Sequence, residues 1–160
     1  MKEIKLSTSF IVFDDLKELS ESDKALFLEA KHACKNSYAP YSKFHVGAAL
    51  LLENGEIIHG NNQENAAYPS GMCAERVAIW KASSLYPKVK IKKLFITAIS
   101  ETHLVKEPIS PCGACRQTIA EYEVNQEEPI EVFFGGEEGK IIKAHSLSDL
   151  LPLGFDKSLL

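Results

Sequence analysis

The sequence lacks the clustered positive charge that a nucleic-acid-binding surface needs. Its 160 residues carry 18 Lys and Arg against 22 Asp and Glu, a net charge of −4 at pH 7, and no basic run stands out. Binding a polynucleotide requires clustered Lys and Arg that neutralise phosphates. The composition therefore favours a small, weakly charged ligand and predicts no nucleic-acid partner.

Long apolar runs are also missing. The opening stretch MKEIKLSTSFIVFDD has no apolar core long enough for a signal peptide. No segment approaches the roughly 18 consecutive apolar residues of a membrane helix. We therefore expect a cytoplasmic protein without a membrane partner. In that reducing compartment, the four cysteines are expected to be metal ligands or core residues rather than disulfides.

Helical and strand patterns alternate along the chain. A β-rich run at 5–13 predicts a strand, and Asn54-Gly55 between two apolar runs predicts a hairpin over 44–60. Ser22 and Asp23 are expected to cap a helix over 24–36. The remaining predictions are helices at 73–83 and 112–122, and strands at 93–100, 130–136 and 140–146. Such interleaving favours one α/β sheet covered by helices on both faces.

The stretch PCGACRQ (111–117) carries the first chemical signal. Cys112 and Cys115 are spaced i, i+3 at a predicted helix start, so both can point to one side. A catalytic zinc usually has three protein ligands and one open position for water. Cys73 is the best candidate for the third ligand, because it also begins a predicted helix. Helix N-termini favour negative charge, and a metal-binding cysteine must be a thiolate.

Glu75 and Arg76 follow Cys73 directly in the motif CAER. A carboxylate beside a zinc site can move protons between water, substrate and leaving group. Residues i and i+2 do not share a face of an ideal helix, so Glu75 can reach the metal only if Cys73 is the N-cap. Three thiolates also leave the zinc centre with a negative formal charge. We expect Arg76 to offset it by a hydrogen bond to a ligand sulfur.

Taken together, these motifs resemble the zinc cytidine deaminases of the small homotetrameric type. The likeness runs from about residue 38 to 155 and includes YAPYSKFHVGAALL, NQENAAYP, CAERVAI, PCGACRQ and LLPLGF. It implies a three-layer α/β/α fold with a mixed five-stranded sheet, formed by a single catalytic domain over 21–160. Residues 1–20 precede the usual family start, and we expect them to form an N-terminal extension containing a strand.

The resemblance also implies a role for individual residues. It implies one Zn²⁺ per subunit on Cys73, Cys112 and Cys115, with Glu75 as the proton shuttle. Arg76 and Gln117 match positions near the zinc. The implied substrate-binding residues are Phe44 beside the nucleoside, Asn62 and Glu64 at the ribose 3′-hydroxyl, Ala74, and Phe155, which stacks on the base in a neighbouring subunit's pocket. Active sites would thus be completed across a homotetramer.

The expected reaction is hydrolytic deamination of cytidine and 2′-deoxycytidine to uridine and 2′-deoxyuridine plus ammonia, in pyrimidine salvage. Other interpretations stay open at this point. The substrate could be another aminopyrimidine nucleoside, such as blasticidin S, or a polynucleotide, which would need a basic approach surface. A non-catalytic module with a structural zinc would need a fourth ligand, for example Cys34 or a histidine. A lone C-x-x-C can also be a redox motif.

Overall fold

A six-stranded mixed sheet forms the centre of the computed structural model, which describes residues 1–160. The strands lie in the order β1-β6-β5-β4-β2-β3, and only β4 and β5 pair in parallel. Their bounds are Phe10–Phe13 (β1), Phe44–Leu52 (β2), Ile57–Asn61 (β3), Ile91–Ser100 (β4), Glu131–Gly135 (β5) and Ile141–Ala144 (β6). The mixed sheet is confirmed, but the expected number of five strands is wrong, because the N-terminal segment adds β1 beside β6.

Helices cover both faces of this sheet. They are α1 (Glu21–Ala33), α2 (Ala74–Leu85) and α3 (Gly113–Gln126). Side chains alternate between the two faces of a strand, so Ala49 packs with α1 whereas Ala48 and Leu50 pack on the side of α2 and α3. The predicted three-layer α/β/α architecture is confirmed.

The first helix begins earlier than the sequence pattern predicts. Ser20 is its N-cap, and its hydroxyl accepts the N–H of Asp23 at 3.2 Å. Ser22 and Asp23 lie within the first helical turn, so the predicted cap and the predicted start at residue 24 are wrong. Ser20, three residues before Asp23, caps the free N–H groups of the first turn, the role that the sequence argument gave to Ser22.

The start of α2 lies against the sheet, and α2 and α3 begin in the same way. Cys73 and Cys112 are their N-caps, and both have extended backbone angles. Gly60 of β3 permits this approach, because a Cβ atom there would lie 2.2 Å from the carbonyl oxygen of Ala74. The absence of a side chain at Gly60 thus allows the N-terminus of α2 to rest against β3.

The N-terminal segment pairs with β6 and packs the ring of Phe13 against the core. The ring centroid of Phe13 lies 6.4 Å from that of Phe133, with planes inclined by 19°. The strand is shorter than the predicted 5–13, since only Phe10–Phe13 pair with β6. None of the helices is both long and apolar enough to cross a membrane.

Candidate active site

Three cysteine sulfurs meet where the N-termini of α2 and α3 converge. The Sγ atoms of Cys73 and Cys112 are 3.9 Å apart, those of Cys112 and Cys115 are 3.5 Å apart, and all three lie within 4.8 Å of one another. Tetrahedral zinc with Zn–S bonds of about 2.3 Å requires sulfurs about 3.8 Å apart. The cluster therefore fits a zinc ion.

The fourth cysteine takes no part in this cluster. Cys34 is buried at the end of α1, and its Sγ lies 3.7 Å from the Ala30 carbonyl oxygen and 3.8 Å from that of Thr97. Burial raises the pKa of its thiol to about 12. Cys34 is thus a neutral core residue, and the cluster has three protein donors rather than the four of a structural zinc site.

Positive charge lies directly beside the sulfurs. The Nη2 group of Arg76 donates to Cys73 Sγ at 3.4 Å, as the sequence argument expected. Hydrogen bonds from the Cys115 thiol and from Arg76 lower the pKa of Cys73 to about 5. The Nε atom of Arg76 is buried without a hydrogen-bond partner. The site therefore favours the thiolate form of Cys73.

Glu75 is a buried carboxyl group in the first turn of α2. Only 4 % of its surface is exposed. Burial raises its pKa, and the negative charge of Cys73 acts in the same direction. The sequence argument required Cys73 to be the N-cap if Cys73 and Glu75 were to reach one site. Cys73 is the N-cap of α2, and both residues line the same cavity. A buried carboxyl with a raised pKa suits proton exchange.

A cavity of about 750 Å³ opens in front of the sulfurs. This volume is within the range of small-molecule sites. Phe44, Asn62 and Glu64 line it together with Cys73, Glu75, Arg76 and Cys112. The sequence reasoning did not single out Tyr41, Tyr68, Ile109 or Ser110, which line it as well. Tyr41 and Tyr68 lie within the quoted motifs, and Ile109 and Ser110 directly precede PCGACRQ, so their place in the chain was the available signal.

Asn62 and Glu64 are both held by the main chain. Asn62 Oδ1 accepts the N–H of Val46 at 2.8 Å, and its Nδ2 donates to the Phe44 carbonyl at 2.9 Å. Glu64 accepts the N–H of Tyr41 at 2.9 Å and that of Ser42 at 3.2 Å. These bonds and one from the Ser42 hydroxyl, which has the largest effect, lower the pKa of Glu64. The cavity therefore has a fixed, ionised acceptor.

Three of the expected site residues do not line this cavity. Phe155 is 56 % exposed near the C-terminus, and its carbonyl accepts a hydrogen bond from Gln117 Nε2 at 2.8 Å. Gln117 thus contacts the C-terminal segment rather than a sulfur. Ala74 is fully buried where the start of α2 packs against β3. Within one chain, the structure brings the sulfurs, Glu75 and Arg76 together with Phe44, Asn62 and Glu64, and leaves Phe155 outside.

Several known proteins are similar to this chain in sequence. The cytidine and deoxycytidylate deaminase zinc-binding region matches residues 20–127. A cytidine deaminase from Sporosarcina psychrophila is 46 % identical over 82 % of this chain and 90 % of its own length. A blasticidin-S deaminase from Bacillus cereus is 31 % identical over 73 % of this chain and 81 % of its own.

A solved structure agrees with the sequence relatives. The crystal structure of cytidine deaminase from Burkholderia pseudomallei superimposes with a TM-score of 0.72 at 36 % identity, and the match covers 86 % of this chain and all of that one. The family match spans well over half of the chain, and the sulfur cluster that it requires is present. The chain therefore belongs to the cytidine and deoxycytidylate deaminase family.

Proposed function

We propose that this protein is a zinc-dependent enzyme that hydrolyses cytidine and 2′-deoxycytidine to uridine and 2′-deoxyuridine with release of ammonia. The observation that carries the proposal is the meeting of three cysteine sulfurs and the buried carboxyl of Glu75 in one cavity. The relative named cytidine deaminase at 46 % identity supports the same reaction.

Cys73, Cys112 and Cys115 hold one zinc ion per subunit in this proposal. Bound zinc supplies Lewis acidity, which can lower the pKa of water from 15.7 to about 7. Three thiolates weaken that acidity because of their negative charge. The guanidinium of Arg76, 3.4 Å from Cys73 Sγ, offsets part of this charge and favours the thiolate form of Cys73.

Glu75 performs the proton transfers. It accepts a proton from the water that adds to C4 of the cytosine ring and delivers it to N3. It then takes the proton of the new C4 hydroxyl and passes it to the amine as the C4–N bond breaks, so that ammonia leaves and the C4 carbonyl forms. Its burial separates these steps from bulk solvent, and a raised pKa brings it closer to the operating pH, where general acid–base catalysis is most efficient.

The opposite side of the cavity binds the sugar and the base. Phe44 packs beside the nucleoside, and Asn62 with Glu64 holds the ribose 3′-hydroxyl. A substrate without that hydroxyl would leave the Glu64 carboxylate without its partner, which makes such a pair selective. Ala74 contributes through its main-chain N–H, since the first N–H groups of a helix have no intrahelical acceptor.

The charges in the cavity favour a nucleoside over a nucleotide. Its lining contains the carboxyl groups of Glu64 and Glu75 and a single cation, Arg76. That cation is already bonded to Cys73. A 5′-phosphate would therefore enter an acidic cavity without a free positive partner, and a polynucleotide would meet the same obstacle.

We further propose that the active enzyme is a homotetramer. Phe155 lies outside its own cavity and is 56 % exposed, so it is available to stack on the base in a neighbouring subunit's cavity. Gln117 fixes the main chain at Phe155 and so orients the ring.

We also propose that residues 21–160 form the catalytic domain and that residues 1–20 form an extension. The proposed enzyme acts in pyrimidine salvage in the cytoplasm.

A second candidate substrate is blasticidin S. It is favoured by the relative named blasticidin-S deaminase, although at 31 % identity against 46 % for the cytidine deaminase. Both compounds carry an aminopyrimidine ring, so the same zinc and Glu75 chemistry applies. Competition between cytidine and blasticidin S for the purified enzyme separates the two candidates.

The decisive assay is ammonia release from cytidine, deoxycytidine, cytosine and cytidine 5′-monophosphate, with and without a zinc chelator. We expect chelator-sensitive turnover of the two nucleosides alone. Zinc-loaded protein that releases no ammonia from any of them would refute the proposed function. Equal turnover of the 5′-monophosphate would refute the argument from the charges of the cavity.

A further inference from the structure

A second ring lies against Phe44, the residue that the proposed function places beside the nucleoside. The ring centroids of Phe44 and His103 are 6.5 Å apart, and their planes are inclined by 22°. This separation lies within the range of about 4.5–7 Å at which aromatic rings form favourable pairs. His103 follows β4 in the connection to α3 and belongs to none of the motifs that identify the site.

Two hydroxyl groups hold the imidazole in place. His103 Nδ1 lies 3.0 Å from Thr102 Oγ1 and 3.3 Å from Ser100 Oγ, both within hydrogen-bond distance. Ser100 is the last residue of β4 and pairs with Phe44 across the sheet. The imidazole is therefore fixed to the strand next to the one that carries Phe44.

The main chain of Phe44 is fixed separately. Its N–H donates to Ser42 Oγ at 3.1 Å, and its carbonyl accepts from Asn62 Nδ2 at 2.9 Å. The N–H of Glu101 donates to the Lys43 carbonyl at 3.0 Å, which joins the same two chain segments. These bonds fix the main chain at Phe44 and do not involve its ring. The stacked His103 ring contacts that ring directly and restricts its rotation about the side-chain bonds.

We propose that His103 is a positioning residue that sets the orientation of the Phe44 ring for nucleoside binding. The inference rests on the proposed function, which assigns Phe44 to the nucleoside. His103 does not line the cavity and touches neither the sulfurs nor Glu75. Its contribution therefore acts on bound substrate and transition state alike, so its loss raises KM and leaves kcat nearly unchanged.

The test compares His103→Ala with His103→Phe in the zinc-loaded protein. An aromatic pair contributes an interaction equivalent to about a two- to tenfold change in an equilibrium constant. We expect His103→Ala to raise both the KM for cytidine and the Ki for uridine as a competitor by that factor, with kcat within twofold of wild type. The His103→Phe variant keeps a ring against Phe44 and should restore both constants. His32→Ala, at an exposed position of α1, is the matched control.

Each other outcome has a definite meaning. Unchanged KM and Ki in His103→Ala would overturn the proposal, as would a His103→Phe variant that behaves like the alanine variant. A fall in kcat together with a lower thermal midpoint would assign His103 a structural role instead. If the wild-type protein releases no ammonia from cytidine, the proposed function itself fails, and the positioning role falls with it.

Discussion

Replacing Glu75 with glutamine tests whether this carboxyl carries the proton transfers. The substitution keeps the size of the side chain and removes its capacity to exchange protons at neutral pH. Loss of a general acid–base typically costs about 10²–10⁴-fold in rate. We expect the upper half of this range, a fall in kcat of about 10³–10⁴-fold, or about 4–5.5 kcal/mol in the activation barrier. Glu75 is 4 % exposed, so bulk water has little access to the site and cannot readily take over its proton transfers.

The assay measures kcat for ammonia release, the zinc content and the thermal midpoint of the same preparation. Glu75 is not a zinc ligand in this proposal, so the Glu75→Gln variant should keep one zinc per subunit. Its thermal midpoint should not fall, because the substitution removes a buried ionisable group whose charged form is disfavoured by burial. Glu138→Gln, in the exposed turn between β5 and β6, is the control and should keep wild-type kcat. A Glu75→Gln enzyme within tenfold of wild-type kcat would refute the assigned role, and loss of zinc would show that Glu75 serves the metal site instead.

Three further predictions concern the close approach at Gly60, the exposed Phe155 ring and the ion pairs of Glu128. Gly60→Ala should lower the free energy of unfolding by about 1–3 kcal/mol and weaken zinc binding, because the added methyl displaces the start of α2. Urea unfolding would measure the first effect and zinc titration the second. Unchanged zinc affinity would contradict the link between β3 and the site. Phe155→Ala should reduce kcat/KM for cytidine while the proposed tetramer, checked by light scattering, persists. Undiminished kcat/KM would contradict a shared active site. Lys90 and Lys92 lower the pKa of Glu128 to about 2 from 4.5, so the stability from these pairs is present above pH 4.5 and lost as the pH falls toward 2. Between pH 4.5 and 2, the thermal midpoint of Glu128→Gln should therefore fall less than that of wild type. Parallel curves of thermal midpoint against pH would refute the stabilising role of these ion pairs.

The metal site could be predicted from the sequence because its geometry is mostly local. The i, i+3 spacing of Cys112 and Cys115 places both sulfurs on one side of a helix start, and their Sγ atoms are 3.5 Å apart. The hairpin around Asn54-Gly55 is equally local and is present as β2 and β3. Cys73 is 39 residues away from Cys112 along the chain. Its place in the cluster was predictable only because, like Cys112, it begins a helix, and because an acidic residue follows it two positions later.

Features that depend on distant contacts could not be predicted in the same way. The sequence indicated a strand near the N-terminus, but nothing in its pattern showed that it would pair with β6, 130 residues later, and bring the sheet to six strands. Some residues that line the cavity from within the motifs, such as Tyr68, read equally well as ordinary loop residues. His103 is a further example, because its contact with Phe44 exists only after β2 and β4 have paired.

Asn62 shows why a residue's type and its contacts have to be considered together. A polar residue in the loop NQENAAYP reads either as a turn-forming residue or as a ligand for a sugar hydroxyl. In the structure both ends of its amide are bonded to the main chain at the start of β2, to Val46 and to the Phe44 carbonyl. Removing this amide would leave two partly buried main-chain groups without these partners, which is costly, and would also release the strand end that carries Phe44. Loss of activity in an Asn62 variant would therefore not by itself prove a bond to the ribose. Glu64 also accepts main-chain N–H groups, but those of Tyr41 and Ser42 are exposed, so water can replace the carboxylate there. Glu64 is therefore the better residue for that test.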